Sequence, residues 1–225
     1  MGTTAYVADG TGGLRAIDIS NPTTPREVGA GGSFAGDVAV AGTWAYVAAS
    51  GNGLRVVDIS DPTRLRQRGF FDTPGLAVGV AVSGNLVYVA DYEHGLRVID
   101  VTNLTQPREV GFLDTPGQAR GVALSGTVAY TADGEGRLRV VDVSNPAAPQ
   151  ERGSLADCCA NDVAVSGQLI YMTTYAAVRV IDIAHPASPQ LRASFSLPLV
   201  DAQDIVVSGN LVFVAAEVAQ LFILR

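Results

Sequence analysis

"GLRVIDVTNLTQPREVGF" occupies residues 95–112. Its first seven residues set Arg97 and Asp100 inside an apolar run, a place for a buried functional pair or for a structural device. Recurrence decides between the two. The phrase returns as "GLRAIDI" at 13–19, "GLRVVDI" at 53–59, "RLRVVDV" at 137–143, "AVRVIDI" at 177–183 and, shortened, "QLFILR" at 220–225. Asp18, Asp58, Asp100, Asp142 and Asp182 stand 40, 42, 42 and 40 residues apart. A fixed period of this size indicates a solenoid or a propeller and outranks any local reading. A catalytic pair is needed once, whereas Arg15, Arg55, Arg97, Arg139 and Arg179 recur in register with those aspartates, so both sets read as architecture. Each aspartate is expected to accept N–H bonds from the turn that follows it, and each arginine to reach a neighbouring strand or blade. Buried charge persists only when paired and hydrogen-bonded, which an Arg and an Asp in register would supply.

Each period carries four short strand candidates rich in Val, Ile, Tyr and Ala. The first is "DVAV" (37–40, 162–165), "GVAV" (79–82), "GVAL" (121–124) or "DIVV" (204–207). The second is "AYVA" (5–8, 45–48), "VYVA" (87–90), "AYTA" (129–132), "IYMT" (170–173) or "VFVA" (212–215). The repeated phrase is the third. The fourth is "REVGA" (26–30), "RQRGF" (66–70), "REVGF" (108–112), "QERGS" (150–154) or "QLRAS" (190–194). Glycine-centred turns such as "SGN" (83–85) join the first strand to the second, where a tight hairpin needs positive φ. Proline-containing turns such as "SNPTTP" (20–25) end the third, because Pro cannot continue the ladder. Repeated four-stranded antiparallel units predict an all-β fold, a β-propeller. The expected organisation is a single domain over 1–225 with blades at about 3–30, 34–70, 77–112, 119–154, 160–195 and 202–225. The first blade has no first strand and the last ends after the third. Six blades with two three-stranded ends is the reading adopted; a five-bladed ring and a fragment of a longer propeller are the alternatives. Unpaired edges at such ends invite pairing with another chain, so a homo-oligomer is expected as one outcome.

In "GLRVIDVTNLTQPREVGF" and its copies the chain resembles the LVIVD-repeat family of bacterial and archaeal surface proteins, over essentially its whole length. The resemblance implies a propeller fold and an extracellular or cell-surface location. It implies no activity, substrate or catalytic residue. In blade layout the chain also resembles WD-type and lactonase-type propellers.

A chain of 225 residues buries roughly 70% of its unfolded surface and needs no metal or disulfide to fold. No apolar run reaches the roughly 18–20 residues of a membrane span. The opening "MGTTAYVADG" has neither a basic end nor a hydrophobic core of its own, and is not expected to be a signal peptide. The net charge is −7, and Arg is the sole fixed cation, with no Lys. That balance argues against nucleic acid and anionic membrane surfaces as partners, since both require clustered cations.

Function in a propeller sits where equivalent positions differ. By analogy, the loops entering the first strand and those between the second and third share one face around the channel. The entering loops read "FAGD" (34–37), "LAVG" (76–79), "QARG" (118–121), "CAND" (159–162) and "DAQD" (201–204). They would gather Asp37, Arg120, Asn161, Asp162, Gln203 and Asp204. The other loops would add Asp9, Asp91, Tyr92, Glu93, His94, Asp133, Glu135, Tyr175 and Glu217. Carboxylates and amides in that number suit a hard cation such as Ca²⁺, with Asp37, Asp162 and Asp204 as ligands. They also suit sugar hydroxyls, with Tyr92 and Tyr175 as stacking faces. As ordinary turn residues they would only be solvated. The adjacent Cys158 and Cys159 would form a vicinal disulfide, a soft metal site, or two packed thiols. His185 fills the Asn slot of a turn, and Trp44 reads as a core or edge plug. No nucleophile turn or phosphate loop is present, and neither histidine lies near a nucleophile. The expected function is a non-enzymatic module that displays loops to a protein or glycan, with no required cofactor. A structural surface assembly and a metal-dependent hydrolase or lactonase are the competing readings.

Overall fold

The computed structural model describes residues 2–134, 137–156, 160–198, 201–216 and 220–224. Every regular element among them is a β-strand, so no helix long and apolar enough to cross a membrane is present there. The first sheet orders β1 (Thr4–Ala8), β2 (Leu14–Asp18) and β3 (Arg26–Gly31). The second orders β4 (Asp37–Ala41), β5 (Trp44–Ala48), β6 (Leu54–Asp58) and β7 (Arg66–Phe71). The third holds β8 (Gly79–Ser83), β9 (Leu86–Ala90), β10 (Leu96–Asp100) and β11 (Arg108–Leu113). The fourth holds β12 (Ala119–Ser125), β13 (Val128–Asp133), β14 (Arg137–Asp142) and β15 (Gln150–Ala156). The fifth holds β16 (Val163–Ser166), β17 (Leu169–Thr174), β18 (Ala177–Asp182) and β19 (Gln190–Ser196). The sixth holds β20 (Ala202–Ser208), β21 (Leu211–Ala216) and β22 (Gln220–Leu224). All six are antiparallel meanders, the blades of a six-bladed β-propeller. Residues Met1–Asp91 with Arg97–Val110 form one compact unit, and Tyr92–Leu96 with Gly111–Arg225 another.

Period-2 alternation gives each blade two apolar faces. In the first unit, Leu14 of the first blade packs with Ala45, Val47, Val57 and Ile59 of the second. The opposite face of the second blade, with Tyr46, Ala48, Leu54 and Val56, packs with Val80, Val87, Val89, Ile99 and Val101 of the third. Trp44 lies half-buried against that layer. In the second unit, Leu138 and Val140 meet Val163, Ile170, Met172 and Ile181, and Val178 meets Ile205, Val212 and Val214. The core is thus a set of layers, each between two consecutive blades.

A glycine in the fourth strand allows blades to approach closely. A Cβ on Gly29, Gly69 or Gly111 would lie 2.1, 2.0 or 2.2 Å from the carbonyl oxygen of Pro62, Leu104 or Pro146. On Gly153 it would lie 2.7 Å from that of Ala187. Each contact belongs to the proline turn of the following blade. In the fifth blade this slot holds Ala193, paired with Val180 as Gly153 is with Val140. No such turn covers it among the described residues, and a cavity of about 250 Å³ lies there, lined by Tyr171, Val178, Val180, Ala193, Phe195 and Leu224 among others. Gly69→Ala is expected to destabilise the protein by about 1–3 kcal/mol through overpacking. Ala193→Gly should cost only about 0.5–1 kcal/mol, the strand entropy term. Chemical denaturation of both variants checks this; equal effects would remove the close approach as the reason for glycine.

Candidate functional site

The repeated aspartates sit at the ends of the third strands, where the chain turns. Their Oδ1 atoms accept N–H bonds from Ser20, Ser60, Thr102, Ser144 and Ala184, at 2.7–3.1 Å. The second oxygen takes a guanidinium from the fourth strand, not the arginine of the same phrase. Residues three apart in a strand face opposite sides, so Arg97 and Asp100 never meet, and likewise in the other blades. Asp58 pairs with Arg68, Asp142 with Arg152 and Asp182 with Arg192. Those three arginines occupy the extra residue of a bulge, between the registers Val56↔Gly69 and Val57↔Gln67 in the second blade and at the equivalent points of the fourth and fifth. Where the fourth strand reads "REVG", the arginine comes two residues earlier. Arg108 then pairs with Asp100 at 2.9 Å, and Arg26 stands across from Asp18 in the register of β2 and β3.

Hydrogen bonds from Ser60, Thr102 and Ser144, then the guanidinium groups, hold Asp58, Asp100 and Asp142 at a pKa of about 2. The unfolded carboxyl titrates near 3.9. The folded value is the lower one, so this contribution is complete above about pH 4 and is lost as pH falls toward 2. The melting temperature should therefore decline across that window. The triple variant Asp58→Asn, Asp100→Asn and Asp142→Asn keeps the turn acceptors and should show a shallower decline; an unchanged slope would contradict the assignment.

The phrase arginines take the opposite face of the strand from the aspartates. Arg15 bonds Asp9 and Glu27, and Arg55 reaches Asp72 at 3.0 Å while lying over the Phe70 ring. Arg97 is buried beside Asp91 and Glu109, and Arg139 beside Asp133 and Glu151. Asp91 also accepts bonds from the Thr73 hydroxyl at 2.5 Å and the Gly75 N–H at 2.8 Å. Arg179 bonds Ser194. Asp91 and Asp133 are thus fully buried partners of repeat arginines. This corrects their placement among the rim acids: Asp133 ends β13 and Asp91 directly follows β9, and both are buried.

The loops that enter the first strands carry the remaining candidates. In the first unit, Asp37 Oδ2 accepts the N–H of Val80 at 2.7 Å, in the next blade. In the second unit, Asp162 Oδ2 likewise accepts the N–H of Ile205 at 3.1 Å. Arg120 donates to Asn161 Oδ1 at 2.8 Å and to Gln118 Oε1 at 3.0 Å. Asn161 passes the chain on, donating to Asp201 Oδ1 at 2.8 Å and to the Ala202 carbonyl at 2.9 Å. Gln118 and Asp201 were not singled out by composition, though they occupy matching slots of "QARG" and "DAQD". Gln203 and Asp204 are exposed. Glu135, Cys158, Cys159 and Glu217 lie outside the described residues. No group of three or more His, Cys, Asp or Glu side chains fit to hold a metal ion occurs among the described residues.

Tyr92 is half-buried in the loop after β9, with φ at 50°. Its backbone bridges to Ala119, next to Arg120. Gly10 and Ser50 fill the same slot with φ of 50° and 52°, bridging to Ala35 and Ala77. Tyr175 is exposed after β17. Asn161→Ala would leave the Arg120 and Asp201 side chains and the Ala202 carbonyl each short of a partner. We expect a loss of about 2 kcal/mol in unfolding free energy, read by denaturant titration.

The LVIVD repeat matches residues 1–30, 31–73, 74–115, 116–157, 159–196 and 201–224. No curated protein matches the chain in sequence. Among solved structures, a functionally unknown protein from Desulfotomaculum acetoxidans is similar at 17% identity and a TM-score of 0.80, with 98% of this chain and 78% of that one covered. A protein from Lactobacillus plantarum is similar at 14% identity and 0.80, with 99% and 80% covered. The β-propeller domain of the Swd1 protein from Myceliophteria thermophila is similar at 13% identity and 0.74, with 97% and 78% covered. At these identities the likeness extends to the fold alone.

Proposed function

The chain belongs to the LVIVD repeat family, and we propose that it is a non-enzymatic binding module presenting rim loops to a glycan or protein at a cell surface. One observation carries this reading. Left-handed backbone recurs at Gly10, Ser50 and Tyr92, the matching slots of the first three blades. Glycine adopts that conformation freely, while other residues are strained by about 1–2 kcal/mol. An aromatic side chain is the least suited to the fold here and serves a contact outside it. Tyr offers an apolar face and a hydroxyl, the combination enriched at interfaces. The Tyr92 backbone bridges to Ala119, between Gln118 and Arg120, and amides and a guanidinium of this kind are able to bond sugar hydroxyls or peptide groups. The surface location rests on the family.

The test is binding of the purified chain to immobilised envelope glycans and surface proteins. Tyr92→Gly should leave the melting temperature unchanged or higher while weakening binding at least tenfold. A wild-type chain that retains nothing, or a variant that binds equally well, would refute the reading.

A further inference from the structure

The layer between the fifth and sixth blades lies inside the second unit, and its outer end is open. The residues there have equivalents in the other four-stranded blades. Tyr46, Tyr88 and Tyr130 are buried, as are Val56, Val98 and Val140. In the fifth blade the same positions, Tyr171 and Val180, are only partly buried. Register equates Phe195 with Phe71 and Leu155, through their partners Val178, Leu54 and Leu138. Phe71 and Leu155 pack into core layers, whereas Phe195 is 46% exposed. With Ala193, these side chains line the cavity of about 250 Å³.

The other blades show what such a groove accepts. An aliphatic residue after the repeated aspartate comes first. Ile59 and Val101 are buried in the layers that cover the first and second blades, and Ile183 in the layer that covers the fourth. The Tyr6 hydroxyl donates to the Ile59 carbonyl at 3.2 Å. The proline turn follows and brings a carbonyl over the glycine of the neighbouring fourth strand. The chain then runs back as a strand beside the third strand of its own blade. In the sixth blade no described strand lies on the outer side of β22, and an open strand edge is a template for pairing. We propose that the groove beside Ala193 and the outer edge of β22 together bind a segment of another protein. The segment is an aliphatic residue, a proline turn and a strand, added to the sixth blade in trans. A second copy of this chain has none to lend. Its five turns of this kind, 20–25, 60–65, 102–107, 144–149 and 184–189, each run into a fourth strand paired within its own blade. The site shares no residue with the rim loops of Tyr92 and Arg120 and stands apart from that reading.

The probe is a synthetic peptide copying residues 142–155, "DVSNPAAPQERGSL", which fills this role in the fourth blade. Calorimetric titration into the full chain should show one-to-one binding, and hydrogen exchange should slow across 220–224. Ala193→Leu fills the groove from a partly buried position. It should melt near the wild-type temperature and bind the peptide at least tenfold more weakly. Ala193→Gly restores the residue of the other blades and should bind at least as tightly as the wild type. A peptide that fails to bind, a scrambled peptide that binds equally, or an Ala193→Leu chain of undiminished affinity would overturn the proposal. So would weaker binding by Ala193→Gly, or a dimer of the chain that the peptide dissociates, which assigns the groove to a second copy.

Discussion

A meander of three or four short strands has two apolar faces and can bury neither alone. Face-to-face packing of consecutive blades is the constraint from which the rest of this structure follows. It explains why Leu14, Leu54, Leu96 and Leu138, one per blade at the start of the third strand, are all buried. It also explains the glycine of the fourth strand. The proline turn of the next blade passes so close to Gly29, Gly69, Gly111 and Gly153 that its carbonyl oxygen occupies the space of a Cβ. Ala193 appears in the one described fourth strand that no such turn covers, and a cavity lies beside it.

Charge is arranged to serve the same packing. An arginine inside a layer must be compensated, because desolvation exceeds what an unpaired charge recovers. Arg97 and Arg139 are therefore enclosed between a carboxylate at the end of the second strand and a glutamate on the fourth. The repeated aspartates do different work at the solvent edge. They close the turn through N–H bonds and add a guanidinium pair that, being exposed, contributes little by itself. The rim carboxylates Asp37 and Asp162 reach across to the backbone of the following blade, tying innermost strands together.

What is left for contact with a partner lies where the repeats stop agreeing. Tyr92 keeps a left-handed conformation that Gly10 and Ser50 share, and Arg120 and Asn161 exist in one copy each. These features are departures from the repeat, and the repeat is what makes them visible.

The amino-acid sequence by itself determined the fold class, the six blades and their strands. Period-2 patterning, turn glycines and prolines are local codes, and the 40–42-residue spacing multiplies them into an architecture. It also marked Arg97 and Asp100 as structural, through recurrence. Only the tertiary structure decided their partners. Pairing depends on which face a side chain takes and on where the fourth strand carries its arginine, as Arg108 in one blade and Arg68, at the bulge, in another. Likewise, the strand phrase "YVAD" ends in the exposed Asp9 in one blade and in the buried Asp91 in another. Burial there is set by the Thr73 hydroxyl and Gly75 N–H arriving from the preceding blade connection, contacts that exist only once the blades are stacked.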